Sequence, residues 1–342
     1  MSGSSNVGMH IDHNVQEDPE KLAEFEAKID AGQLIEPDDW LPQAYRTGML
    51  KMAEHHANSE IIGALPEGEW ITRAPSLRRK LALTAKVQDE VGHGQMLYRV
   101  SQDLGKTRDQ MLRDLITGVT KYHNVFNYPA PTWGDIAMIQ WLIDGAAIMN
   151  QKSLADGAYG PYVRTMKRIN MEEAFHFKCG EDMVLTLMSG TAKQKEMCQD
   201  AFDRWWYPSL MFFGPPDKPN CRNLPPMRWR MKTVTNDDLR QRFLNRFAPA
   251  AKDLGLKIHV VKKSDDGMVI EKQLDPNLHY DESTENWTVT DPDWEEFYRV
   301  IRGGGPCNKQ RLGLRRFSYE QGRWVRSAIM NGRAGLPPAA RN

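Results

Sequence analysis

The sequence predicts an all-α fold: a four-helix bundle with extra helices and a small β-hairpin in its C-terminal part. Three observations predict it. Glu-x-x-His occurs twice, at Glu90/His93 and at Glu173/His176, and residues three apart on a helix share a face, so each pair can grip one metal ion from one side. Both motifs lie in apolar stripes of helical period, Glu90 with Leu83, Val87, Gly94 and Leu97, and Glu173 with Met166, Ile169, Phe177 and Gly180. Two further apolar segments each carry one inward acid, Glu60 and Asp144. A buried carboxylate without a partner is costly, so a compensating cation is the simplest account of these acids. One such motif on a solvated face is a common accident; two on apolar faces are harder to dismiss.

At 342 residues the chain can bury a sizeable core. Lysine plus arginine and aspartate plus glutamate each number 45, a balance that gives no general attraction to nucleic acid. No apolar run is long enough to span a membrane. The polar run 1–18 reads as a disordered tail rather than a signal peptide. The four cysteines are scattered and never form Cys-x-x-Cys, which fits reduced thiols in a cytoplasm and offers no iron–sulfur cradle.

In chain order, Pro19 to Ala31 is an amphipathic helix, and Pro37-Asp38-Asp39-Trp40 restarts the chain. A longer helix then runs through Tyr45, Met49, Met52 and His56 to Ile61, with Glu60 near its end, until Leu65-Pro66-Glu67-Gly68 breaks the pattern. Ser76 caps the first Glu-x-x-His helix, which runs to about Leu104. Gly105-Lys106-Thr107 is a helix-ending turn, not a phosphate loop, because no strand precedes it. Thr132 and Asp135 start an apolar helix through Ile136, Ile139, Ile143, Ala147 and Ile148, interrupted by Asp144, which also reads as the partner of a neighbouring arginine. The second Glu-x-x-His helix ends near Ser189-Gly190, and Thr191 with Gln194 forms a capping box for the next.

From Trp205 to Pro216 the run is rich in aromatics and prolines and is expected to be a loop folded over the bundle. Thr235 starts a helix to about Asn245. Ile258 to Val261 and Met268 to Ile270 form the hairpin about Ser264-Asp265-Asp266-Gly267, and a last helix from Asp293 to Ile301 precedes a basic tail. The expected organisation is a tail at 1–18, a bundle at 19–201 and a C-terminal extension packed on it at 202–342.

The inward groups in order are Glu60, Glu90 with His93, Asp144, and Glu173 with His176. One single-acid helix and one Glu-x-x-His helix, twice over, is the pattern of ferritin-like di-iron carboxylate bundles, with Asp144 where glutamate is usual. Four carboxylates neutralise two Fe(II) ions, whereas two Fe(III) ions need an added oxide, hydroxide or peroxide. Manganese suits the same mixed oxygen and nitrogen ligands. The chain carries neither a nucleotide-binding glycine fingerprint nor cluster cysteines, so electrons must come from another protein.

Ser59-Glu60-Ile61-Ile62-Gly63, Leu65-Pro66-Glu67-Gly68, Trp70-Ile71-Thr72-Arg73-Ala74-Pro75, Val87 to Gly94, Phe126-Asn127-Tyr128-Pro129, Asp144-Gly145-Ala146-Ala147, Phe212-Phe213-Gly214-Pro215, Thr235 to Phe243 and Cys307-Asn308 together resemble the catalytic A subunits of bacterial ring-1,2-phenylacetyl-CoA epoxidases. The resemblance implies a multicomponent monooxygenase with a di-iron centre. It would use dioxygen to epoxidise the aromatic ring of phenylacetyl-CoA in phenylacetate breakdown. It further implies a related, non-catalytic bundle subunit, small accessory subunits, and a flavin and iron–sulfur reductase that supplies NADPH electrons. By the same similarity Lys51, His55, Lys121 and Lys232 lie near the mouth and meet the CoA phosphates, with His123 and Asn124 as further candidates; each lysine also reads as a solvated surface charge. Rival readings are a benzoyl-CoA epoxidase, a ferroxidase or a radical-generating subunit on the same scaffold, and a scaffolding subunit with no reaction of its own.

Overall fold

In the computed structural model, residues 17–334 are described, with side chains to residue 322; the rest of the expected N-terminal tail lies outside the described residues. Helix α1 (Pro19–Asp30) is capped by Asp18, which accepts from the backbone N–H of Glu20 and Lys21. Four long elements then build the bundle: α2 (Gln43–Gly68), α3 (Leu77–Asp103), a broken helix made of α5 (Trp133–Met138) and α6 (Asp144–Leu154), and α7 (Gly160–Met188). Between α3 and α5, Gly105 at φ +103° turns the chain and Thr107 caps α4 (Arg108–Ile116).

The core is divided in a way that positions the site. On α3, Leu83 belongs to one hydrophobic cluster and Leu97 to another, with Glu90 and His93 between them; on α7, Met166 and Ile169 belong to the second cluster, Met183 and Val184 to the first, with Glu173 and His176 between. The polar residues therefore form a belt across the bundle, sealed above and below by apolar packing, where electrostatic interactions are strong.

Three local expectations are corrected. The helix through Glu60 does not end at Leu65: α2 continues to Gly68 with Pro66 inside it. Proline costs that helix one hydrogen bond, but Ile61, Ile62, Ala64, Pro66 and Glu67 are all buried there, and tertiary packing holds the turn. The aromatic run is not a loop. Helix α8 (Ala192–Leu210) carries Trp205, Trp206 and Tyr207 and includes Pro208, then continues as a short 3-10 turn, Met211–Phe213. Its last turns are buried on every side because core surrounds them, with Arg204 paired to Asp135 and Asp203 to His259 and Lys272. The apolar helix at Asp135 is interrupted by a π-helical segment, Ile139–Ile143, directly before Asp144.

Residues 201 and 202 both lie inside α8. Beyond it, α9 (Pro225–Arg228) and α10 (Asn236–Asp253) lead to the expected hairpin, β1 (His259–Lys263) antiparallel to β2 (Val269–Leu274). A second pair, β3 (His279–Asp281) with β4 (Asn286–Thr288), was not expected. After α11 (Trp294–Arg299), the stretch expected as a basic tail is a helix, α12 (Asn308–Ala334). Arg311 and Arg316 on it approach backbone carbonyls of Phe126 and Ile116, which ties it to the bundle.

Candidate metal centre

Glu60 from α2, Glu90 and His93 from α3, and Glu173 from α7 present ligand atoms that all lie within 4.8 Å of one another; Asp144, Glu173 and His176 do the same. All six residues are buried. The two glutamates of the repeated motif each reach both imidazoles. Glu90 Oε2 is 3.5 Å from His93 Nδ1 and its Oε1 is 3.4 Å from His176 Nδ1, while Glu173 Oε1 and Oε2 lie 3.6 Å and 3.3 Å from the same two nitrogens. The two glutamates thus stand between the two imidazoles at the centre of the cluster.

Each imidazole is held from behind by the acid that precedes the glutamate of the other motif. His93 Nε2 is 2.9 Å from Glu172, and His176 Nε2 is 3.2 Å from Asp89. A carboxylate there accepts a hydrogen bond from Nε2–H, which favours the tautomer whose Nδ1 lone pair faces the cluster, as metal-binding histidine requires. His93 Nδ1 is buried and has no hydrogen-bond partner, an orphaned acceptor that a metal ion would satisfy. Glu60 is flanked by His56, whose Nε2 is 2.9 Å away and whose Nδ1 meets the Tyr162 hydroxyl at 2.8 Å.

Sequence reasoning missed two members of this belt. Lys86 is buried, and its ammonium lies 3.0 Å from Glu67 Oε2 and 3.1 Å from Asp144 Oδ2 and bonds Glu90. Glu67 also accepts from Gln140 at 3.2 Å. Asp144 thus has the ion-pair partner that was one reading of it, but a lysine rather than an arginine, while it also belongs to the metal-ligating group. The signals were present: Glu67 stands two helical turns after Glu60, and Lys86 one turn before Glu90.

The charges respond to burial and to one another. Burial pushes the Glu60 carboxyl well above its usual range, and the neighbouring Glu90 adds to the shift. Burial has the same effect on Asp144, opposed by Lys86. Burial disfavours the Lys86 ammonium, but Asp144, Glu67 and Glu90 outweigh it and hold its pKa well above normal. This crowding of acids around a single lysine leaves room for further positive charge, the condition a bound metal pair meets.

The residues placed at the mouth have different surroundings. Lys51 is exposed on α2. Lys121 donates to the Gly118 carbonyl at 2.5 Å, and Lys232 to Asn236 at 2.7 Å. His55 and His123 do meet, with ring centroids 5.9 Å apart, and His123 stacks on Phe212 at 4.1 Å. Burial lowers the pKa of His55 to about 4 and of His123 to about 3. Asn124 is buried beside them in sequence. A cavity of about 690 Å³ lies elsewhere, lined by Tyr207, Val260, Lys263, Glu296 and Arg299 among others, and takes in none of the six metal-ligating candidates. No helix among the described residues is long and apolar enough to cross a membrane.

The chain is 44% identical over 306 residues to the A subunit of 1,2-phenylacetyl-CoA epoxidase from Escherichia coli (strain K12), a match covering 90% of this chain and 94% of that protein. The model of the phenylacetic acid catabolic protein family matches residues 14–324. With most of its length in that match, the chain belongs to the phenylacetic acid catabolic protein family.

Proposed function

We propose that this chain is the catalytic subunit of a multicomponent, oxygen-dependent monooxygenase that epoxidises the aromatic ring of phenylacetyl-CoA during phenylacetate breakdown in the cytoplasm. The observation that carries the reading is the exchange of carboxylate contacts between His93 and His176, in a chain similar over most of its length to an epoxidase subunit. Glu60, Glu90 and His93 would hold one metal ion and Asp144, Glu173 and His176 the other. When bound, two iron ions supply the redox chemistry that activates dioxygen for transfer of one oxygen atom to the ring.

The protein's own contribution is placement and charge. Apolar clusters on both sides of the belt exclude water, which protects an oxidising centre from side reactions. Asp89 and Glu172 fix the imidazoles in the metal-binding tautomer. Lys86 offsets part of the acidic surplus and is a proton-bearing group in contact with Glu90 and Asp144. Lys51, His55, Lys121 and Lys232 are the proposed contacts of the CoA phosphates. Residues 19–201 would form the catalytic bundle and 202–342 its extension. The proposed partners are a related bundle subunit without a metal site, small accessory subunits, and a reductase carrying flavin and an iron–sulfur centre that delivers electrons from NADPH.

The test is to combine the iron-loaded protein, its partner subunits, the reductase, NADPH and dioxygen with phenylacetyl-CoA, and to follow the CoA ester by mass. A gain of one oxygen atom is expected, with close to two irons per chain. Glu90→Ala and His176→Ala should each abolish metal retention and oxygenation, and turnover retained in either contradicts the ligand set. Turnover of benzoyl-CoA without turnover of phenylacetyl-CoA would change the substrate.

A further inference from the structure

The two single acids of the cluster are held in different ways. Asp144 meets the Lys86 ammonium at 3.1 Å, whereas Glu60 meets an imidazole: His56 Nε2 is 2.9 Å from its Oε1. His56 stands one turn before Glu60 on α2, and its other nitrogen, Nδ1, is 2.8 Å from the hydroxyl of Tyr162. Tyr162 lies on α7, about three turns before Glu173, and is buried. A hydrogen-bonded chain therefore runs from a phenol on α7 through an imidazole on α2 to a proposed metal ligand.

The direction of this chain is set by its ends. An ionised carboxylate, the form that binds metal, only accepts, so Nε2 carries the proton that faces Glu60. Burial disfavours the imidazolium of His56, which leaves Nδ1 as an acceptor for the Tyr162 O–H. The arrangement is the reverse of that at His93 and His176, whose Nε2 atoms meet Glu172 and Asp89 and whose Nδ1 atoms face the cluster. His56 consequently offers no lone pair to a metal ion, and it stands outside both ligand groups. Its effect is to occupy one oxygen of Glu60. The other, Oε2, is the one that faces His93, 3.9 Å from Nδ1. A neutral ring also leaves the charge of Glu60 uncompensated and available to an ion there, while Asp144 shares its own with Lys86.

We propose that Tyr162 is a positioning residue for the metal centre: through His56 it ties down Oε1 of Glu60 and leaves Oε2 as the single oxygen that Glu60 presents to the ion beside His93. The inference rests on the reading of the cluster as a metal pair. A carboxylate bound through one oxygen takes one coordination position where a bidentate one takes two, so this tie decides how the ion beside His93 is completed. Removing the hydroxyl leaves Nδ1 as a buried acceptor with no donor. The ring is then free to turn or to carry its proton on Nδ1, and Oε1 is released toward the ion.

The test uses the full-length chain loaded with Mössbauer-active ferrous iron, as the wild type, Tyr162→Phe, His56→Gln and the double variant. Glutamine keeps an amide N–H within reach of Glu60 and needs no tyrosine to set its proton. The wild type should hold close to two irons per chain and give two distinct ferrous signals. In Tyr162→Phe one signal should shift while the other stays, and one of the two irons should be lost to a chelator at about tenfold lower chelator concentration. His56→Gln should lie nearer the wild type, and adding Tyr162→Phe to it should change neither spectrum nor affinity further. A hydroxyl that serves stability alone predicts the same loss of melting temperature in both backgrounds with both iron signals unmoved, and that result overturns the inference. So does an added effect of Tyr162→Phe on the spectrum of His56→Gln. A wild type that retains no iron overturns the inference together with the reading beneath it, whereas two irons in the wild type and an unchanged spectrum in Tyr162→Phe overturn the inference alone and leave the metal pair standing.

Discussion

Lys86 and Glu67 form a buried ion pair across α3 and α2, with Nζ 3.0 Å from Oε2 and almost no exposure of either side chain. The same ammonium serves Asp144 and Glu90, so one lysine ties three of the bundle elements together at the level of the proposed metals. Without it, Glu67 and Asp144 would be left as acids in a sealed interior.

Lys86→Met tests how far this cation carries the belt. Removing one partner of a buried ion pair costs about 3–5 kcal/mol. The metal-free variant should therefore melt several degrees below the metal-free wild type. Bound metal supplies other positive charge to the same acids, so the difference should shrink when both proteins are loaded with iron. Calorimetric melts of the four samples check this, and an equal loss with and without metal would place the effect outside the carboxylate cluster.

Glu172→Gln and Asp89→Asn probe the supports of the two imidazoles. Each amide keeps the size of the side chain but no longer favours the tautomer with Nδ1 free, and loss of such a support typically weakens metal affinity about 10- to 100-fold. The expected result is a weaker hold on iron in competition with a chelator, with helix content unchanged by circular dichroism. Affinity equal to that of the wild type would mean that the imidazoles are oriented by packing alone.

Much of the bundle was legible because its residues obey a simple period. Glu90, His93, Glu173 and His176 stand at a spacing that only a helix turns into a shared face, and Leu83, Leu97, Met166 and Ile169 mark that face as inward. Glu67 was hidden by Pro66, which reads as a helix stop and is overruled by the core around it. Lys86 was hidden because lysine on an amphipathic helix reads as solvated, and only the convergence of acids from α2 and α6 makes its burial tolerable. The π-helical segment leaves no mark in composition, since one extra residue in a turn looks like an ordinary apolar helix. Trp205 to Leu210 misled for the opposite reason. Aromatics and a proline suggest a loop until the core is seen to enclose them.

Histidine burial gives a pH signature away from the cluster. His55 and His123 have pKa values of about 4 and about 3 in the folded chain, against an ordinary value of 6.5, because burial disfavours the imidazolium. Between those limits the unfolded chain binds more protons than the folded one. Their contribution is therefore complete above about pH 6.5 and is lost as the pH falls toward 4 and then 3. Glu54, which burial raises, works in the opposite direction, so the histidine part is isolated by comparing the wild type with His55→Gln. Denaturant titrations from about pH 7 to about pH 4.5 should show a shallower loss of stability in the variant, with a slope difference of up to about 1.4 kcal/mol per pH unit. Parallel curves would mean that His55 titrates normally in the folded chain.

The π-helical segment connects a glycine to a proposed metal ligand. A Cβ on Gly180 of α7 would sit 2.4 Å from the backbone carbonyl carbon of Gln140 and 2.5 Å from the nitrogen of Trp141, and backbone cannot swing aside as a side chain does. α7 and the π segment therefore approach as closely as they do because residue 180 lacks a side chain. The segment ends directly at Asp144, so pushing it from α7 also moves Asp144 away from Glu173 and His176. Gly180→Ala should destabilise the fold by about 1–3 kcal/mol, the range for overpacking. Its sharper effect should fall on the metal position that includes Asp144. Iron content is expected to drop from near two per chain toward one, while Glu60, Glu90 and His93 keep their ion. A variant that loses stability but binds the full complement would show that Asp144 follows its neighbours across the gap, and one that loses both ions would show that the two positions fill only together.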